Sequence, residues 1–294
     1  KVITGYLTEA AGEKTLDIEA EKVSNKAEIQ SAGKIDIRAE KLGNSGEIYS
    51  EEAININSGN ISNKGTLISN NIDIKGNKLD NTEGKIISET VGLGVAEINN
   101  TKGLISVEKE ISFNGKSLDN TEGKIITNNA VALGVENVIN VKGLITGSSI
   151  DVEGKTLDTK EGQIITDGNV NLKVEKTDNT KGKILANGIQ EEDLDKKEEA
   201  DKSDIAEKSE DSKETKEKEI SIKITGEELN NTEGLIAGLG NIEIGAGVVN
   251  NTQGKITGDS IVIEGSKLIT TEGQLTGNKE IALGIGNVVN IRGM

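Results

Sequence analysis

Over most of this chain, apolar and polar residues alternate one by one in short runs. Ile111-Ser-Phe113, Ile150-Asp-Val152, Ile261-Val-Ile263 and Ile281-Ala-Leu283-Gly-Ile285 are examples. A period of two marks strands with one buried face. The i, i+3, i+4 spacing of an amphipathic helix is absent from these runs. Gly, Asn and Ser separate them and predict turns between short strands, two or three strands to a unit.

The runs recur in units of 19 or 20 residues. Leu79-Asp-Asn-Thr-Glu-Gly-Lys-Ile-Ile87 returns at 118–126, with weaker copies at 98–105 and 229–236. A motif glycine recurs at Gly46, Gly65, Gly84, Gly103, Gly123, Gly143, Gly162, Gly182, Gly234, Gly254, Gly273 and Gly293, and Ala27 takes its place one unit earlier. Every interval is 19 or 20 residues except the 52 between Gly182 and Gly234. An Asn recurs independently at Asn25, Asn44, Asn63, Asn81, Asn100, Asn120, Asn140, Asn179, Asn231, Asn251 and Asn290, with Thr159 and Thr270 in the two remaining units.

So short a unit cannot bury its own apolar face and must stack on its neighbours. The pattern therefore predicts an all-β fold, a parallel β-helix (solenoid) of about 13 coils of 19–20 residues with one charged extruded loop. At about 4.8 Å per coil the rod would be roughly 60 Å long. Such a period excludes an α-solenoid, and the Leu-rich consensus of a horseshoe repeat is missing.

Stacking turns each equivalent position into a column. The Asn column predicts an amide ladder that satisfies groups the turn would otherwise bury unpaired. The motif glycine is expected either at positive φ or where a Cβ would clash. The residue before it reads Lys64, Glu83, Lys102, Glu122, Lys142, Glu161, Lys181, Glu233, Gln253, Glu272, Arg292, alternating in sign in nearly every coil. Stacked opposite charges are worth a few tenths to about 1 kcal/mol per pair, so this column is expected to fix register more than to stabilise. It also exposes a 39-residue super-repeat, from Gly84 to Gly123 to Gly162. The absence of Pro fits a rod in which nearly every backbone N–H is needed between coils.

Composition narrows the function. Of 294 residues none is His, Cys, Pro or Trp, and the net charge is −16. Transition-metal sites, His or Cys catalysis and disulfides are thereby excluded. An acidic chain whose only arginines are Arg38 and Arg292 is not expected to bind nucleic acid. Its apolar runs are too short for direct membrane insertion. The chain begins with Lys and shows no signal peptide, which reads as an interior fragment or a processed product.

The long interval is a separate object. Residues 191–219 hold 14 acidic residues and 7 lysines, with no apolar face to dock. A solvated, mostly disordered loop is expected there. The domain reading is coils over 1–188, a charged insertion over 189–219, and coils of the same rod over 220–294.

Candidate sites are few. Catalytic, cofactor-binding and metal residues are all assigned as none, and no cofactor is expected. Asp80, Asp119, Asp158 and Asp178 form the one carboxylate column, of which Asp158 and Asp178, on adjacent coils, could share a cation. Turn formation is the preferred role for all four. The file of Thr82, Thr101, Thr121, Thr180, Thr232 and Thr252 has only a superficial likeness to an ice-binding face. The sequons at Asn60, Asn99, Asn230 and Asn250 are by-products of the motif.

The apolar-x-Asn-x-x-Gly-x-Ile pattern at 79–87, 118–126 and 229–236 resembles the haemagglutinin repeats of the filamentous-haemagglutinin exoproteins of Gram-negative two-partner secretion. The resemblance covers nearly the whole chain except 191–219. It implies a right-handed parallel β-helix, export through an outer-membrane β-barrel transporter, and display at the cell surface as an adhesive, non-catalytic fibre that meets a host-cell or bacterial surface receptor. It also implies an alternative, the stalk of a contact-dependent growth inhibition toxin. A polysaccharide-active β-helix enzyme is a distant third reading. The lack of Cys suits a chain threaded through a periplasm.

Overall fold

The computed structural model describes residues 2–3, 6–8, 15–189 and 220–292. Its strands run in chain order from β1 (Val2–Ile3) to β24 (Gln274–Val289) and join one continuous sheet. The fold is an all-β solenoid of about thirteen turns. No helix occurs among the described residues.

One coil shows how the alternation is used. The turn Asn120–Gly123 leads into a short strand, β13 (Lys124–Thr127), and then a long one, β14 (Ala130–Ile139). The next coil repeats them as β15 (Leu144–Gly147) and β16 (Ser149–Asp158). The partners are parallel and in register, with Ile125 opposite Ile145, Val131 opposite Ile150 and Val138 opposite Leu157. Pairing between the long strands lapses at Val135 and Glu136, where the strand bends. Each coil therefore has three sides: the short strand and the two halves of the long one.

Every second residue points inward and meets its counterpart on the coils above and below. Ile105, Ile125, Ile145, Ile164, Ile184 and Ile236 make the column of the short side, all buried. Leu118, Val138, Leu157 and Leu229 line the third side, with Thr177 between the last two. Branched aliphatic side chains suit this role, because each is stiff at χ1 and packs flat on a pleated surface. The large exception is Phe113, which is fully buried. Its volume is offset within its own strand, since a Cβ on Gly115 would lie 2.5 Å from Phe113 Cζ.

The bend of the long strand carries a second pattern. It reads Gly76, Val95, Gly115, Val135, Gly154, Val174, Gly226, Ala246, Gly265. The four larger residues are buried. A Cβ on Gly154, Gly226 or Gly265 would come within 1.9 Å of the carbonyl oxygen of Val135, Val174 or Ala246. Bends thus alternate between two kinds, a Gly that is followed by Glu at the next turn and a larger residue that is followed by Lys or Gln there. The charge column's 39-residue period is present in the core as well.

At the far end of the short strand small residues turn the chain. Ser50 Oγ donates to Gly33 O at 2.5 Å, Thr127 Oγ1 donates to Lys109 O, and Thr166 Oγ1 accepts from Gly168 N at 3.1 Å. These hydroxyls satisfy backbone groups that a tight corner leaves without ladder partners.

Stacking also joins the two sides of the 52-residue interval. β18 (Val170–Asp178) pairs with β20 (Ile220–Asn230), placing Leu172 opposite Ile224 and Asp178 opposite Asn230. β19 (Lys183–Ala186) pairs with β21 (Leu235–Gly238) in the same way. The charged run 191–219, expected as an extruded loop, lies outside the described residues.

Candidate functional site: the stacked columns

The Asn side chains are buried and bonded from coil to coil. Asn25 Nδ2 donates to Asn44 Oδ1 at 2.8 Å, and Asn44 to Asn63 at 2.8 Å. The series continues through Asn81, Asn100, Asn120 and Asn140 at 2.7 Å each. After the long interval Asn179 donates to Asn231 and Asn231 to Asn251, again at 2.7 Å. Every bond points the same way along the rod. Most of these amides also donate to a backbone carbonyl of the next coil, such as Asn120 Nδ2 to Leu144 O at 3.2 Å. Asn290, in the last described turn, is exposed.

The series breaks at the two threonines; at Thr270, Asn251 Nδ2 bonds only the backbone oxygens of Gly254 and Gln274. Asn140 Nδ2 reaches Thr159 Oγ1 at a long 3.3 Å. The next oxygen, Asn179 Oδ1, is buried with no hydrogen-bond partner. A threonine is too short to span the gap that the other amides cross.

The motif glycines are held by close approach and not by φ. A Cβ on Gly84 would lie 2.2 Å from Asn63 O, and one on Gly103, Gly123, Gly143, Gly162, Gly182, Gly234, Gly254 or Gly273 would clash with the backbone in the same way. The left-handed residue is the one before each glycine. Glu83, Lys102, Glu122, Lys142, Glu161 and Lys181 have φ between 54° and 59°. The positive-φ half of the sequence expectation thus belongs one residue earlier. Sequence reasoning missed this left-handed corner. Its signal was the Asn-to-Gly distance: two residues for Asn44 and Asn63, three from Asn81 onward. The shorter corners of Ser45 and Lys64 carry no left-handed residue.

Those left-handed residues project their charges outward. Lys102 Nζ is 3.8 Å from Glu122, Lys142 Nζ 3.6 Å from Glu161, and Lys181 Nζ 3.5 Å from Glu233. Each lysine meets the glutamate of the following coil, so the column resolves into coil pairs. All six side chains are about half exposed, and such pairs are worth only a few tenths of a kcal/mol.

The outward Asp and Thr residues bond to each other. Thr82, Thr121 and Thr180 donate Oγ1 to Asp80, Asp119 and Asp178 at 2.6 Å, and Thr101, Thr232 and Thr252 donate to Asn99, Asn230 and Asn250 at 2.7 Å. Asp158 lacks a threonine two residues on and has Lys160 there. Lys160 Nζ sits 3.1 Å from Asp158 and 3.0 Å from Asp178, filling the place a shared cation would take. Burial pushes the Asp178 carboxyl up, but hydrogen bonds from Thr180 and Lys160 outweigh it and hold the carboxyl below its usual range. Bonds to Asp178 and Asp158 raise the Lys160 ammonium in turn.

The surface grooves are open to solvent, and in one of them the charged side chains are paired. One of about 350 Å³ is lined by Asp36, Arg38, Asn55, Asp73 and Lys75. Within it Arg38 bonds Asp17 at 3.1 Å, Asn55 bonds Asp36 at 2.6 Å and Lys75 bonds Asp73 at 2.6 Å. Among the described residues no group of three or more acidic side chains is placed to hold a metal. The described residues form no helix that could cross a membrane.

The haemagglutinin repeat family model matches residues 10–65, 30–107, 68–174, 149–190 and 215–293. No curated protein and no solved structure matches the chain.

Proposed function

Because the chain belongs to the haemagglutinin repeat family, we propose that it is a structural and adhesive segment of a surface fibre. Proteins of this family are generally secreted or surface-exposed and associated with two-partner secretion. On this reading the chain is exported through a dedicated outer-membrane β-barrel transporter and meets a host-cell or bacterial receptor. The observation that carries it is where the polar side chains go. Asn bonds Asn, Thr bonds Asp or Asn, and Lys160 bonds Asp158 and Asp178. The recurring polar groups are engaged with neighbouring residues of the same rod, which suits a spacer or scaffold. The stalk of a contact-dependent inhibition toxin would use the same regular rod, and a small immunity gene beside the coding sequence would favour it.

Surface labelling of whole cells tests the export reading. The chain should reach the surface when the gene for an outer-membrane transporter of the two-partner type is intact and remain inside the outer membrane when that gene is deleted. Surface display without the transporter would overturn it. The non-catalytic reading is tested by polyuronate cleavage with Ca²⁺. Cleavage that is lost in Asp158→Asn or Asp178→Asn would reverse that assignment.

A further inference from the structure

One outer face of the rod carries an apolar stripe that core packing does not use. On the short side, residues one and three past each motif glycine point outward. Along this face Ile68, Ile87, Leu104, Ile126, Leu144 and Ile165 form a zigzag from coil to coil. Ile87 is 37% exposed and the other five are partly exposed. At the next coil the chain covers this face itself. Ile189 packs over Leu185 and Ala237, the three being 5%, 4% and 0% exposed, and Ile165 at the end of the stripe packs against them. An apolar cover fits this face where one is supplied.

The two edges of the stripe differ in charge. Beside the motif glycines of these coils, exposed Lys64, Lys85, Lys102, Lys124 and Lys142 outnumber Glu83, Glu122 and Glu161. Along the opposite edge lie exposed Glu89, Glu108 and Glu110, with Lys109. The face is therefore basic on one side, apolar in the middle and acidic on the other.

We propose that this face packs against the same face of a second copy, with the two rods parallel and a two-fold axis running along them. That symmetry sets the basic edge of each copy on the acidic edge of its partner. An antiparallel pair would set like edges together, which disfavours it. Six coils of stripe span about 29 Å, and a four-residue strand is about 13 Å wide. About 750 Å² would be buried in total, below the roughly 1,200 Å² of a standard stable interface. The dimer is accordingly weak and concentration-dependent, and it strengthens with every coil that continues the stripe.

The absence of Cys makes single-cysteine cross-linking clean. Ile68→Cys and Ile165→Cys would be treated separately and mixed, using a bismaleimide of about 10 Å span to match face-to-face sheets. Each variant alone should cross-link to its own twin, and the mixture should give no hybrid species. Hybrids formed only in the mixture would establish an antiparallel pair and overturn the proposal. Equal cross-linking of Lys176→Cys, on another side of the rod, would show collision only and also overturn it. In sedimentation, Lys85→Glu with Lys124→Glu should weaken dimerisation about tenfold, and adding Glu89→Lys with Glu108→Lys should restore it. A parent chain that stays monomeric at its highest soluble concentration refutes the interface. Far-UV circular dichroism of each variant separates lost association from lost fold.

Discussion

At Gly123 a Cβ would lie 2.1 Å from Asn100 O and 2.6 Å from Asn120 Oδ1, so the corner depends on a missing methyl group. Its neighbour Glu122 holds the left-handed conformation, at φ 55°, with its side chain exposed. The two positions should respond very differently. Gly123→Ala forces backbone against backbone and is expected to cost at least about 3 kcal/mol. Glu122→Gly relieves a strain of about 1 kcal/mol while freeing the unfolded chain, so stability should change by less than about 1 kcal/mol. Urea unfolding of both variants checks the pair, and equal losses would contradict the assignment of strain and close approach. The orphaned Asn179 Oδ1 gives a second test at this scale. Thr159→Asn should bridge Asn140 to Asn179 and raise stability by about 1 kcal/mol. A lowered unfolding midpoint would mean that an amide does not fit the break.

At the scale of the element, the turn between β16 (Ser149–Asp158) and β17 (Gln163–Thr166) differs from its neighbours because Lys160 joins two turns. The Asp178 carboxyl is held below its usual range, so its charge stabilises the fold fully above about pH 4. That contribution is lost as the pH falls through the folded-state value. The raised ammonium works the other way, contributing below about pH 10.4 and fading as the pH rises past its folded value. Both groups are partly exposed, so the effect is small. Lys160→Met should move the Asp178 carboxyl titration upward by NMR, and an unmoved titration would remove the bridge from the account. The strands themselves were legible in the sequence, because period-two alternation repeats in nearly every coil and errors in one coil are corrected by the next. The corner geometry was harder to read. Nothing in the identity of Glu83 or Lys102 marks a left-handed backbone, since both residue types are common in any conformation. The Val and Gly alternation at Val95, Gly115, Val135 and Gly154 was present in the sequence but needed the bend to be located before the column could be aligned.

At the scale of the whole molecule, the coils on either side of the long interval stack as closely as any others. Asn179 donates to Asn231 at 2.7 Å across 52 residues. Closing that interval instead of an ordinary 20-residue one costs only about 1 kcal/mol of chain entropy. Shortening it to 20 residues should therefore raise stability by about that amount and leave the circular dichroism spectrum of the rod unchanged; a loss of β signal would mean that the segment holds the two parts together. The two kinds of coil set a different rule for the regular units. Deleting 104–123 would place Val95 beside Val135 and Lys102 beside Lys142, whereas deleting 85–123 keeps Gly beside Val and Glu beside Lys. The 39-residue deletion should fold and unfold near the parent midpoint, and the 20-residue deletion should lose several kcal/mol. A gene encoding such a rod can therefore recombine within itself on different terms from one made of identical units. Unequal crossing-over that gains or loses a coil pair yields a foldable protein of new length, and an odd exchange yields a misfolded one. Rod length becomes a quantity that inheritance can adjust quickly, in even steps.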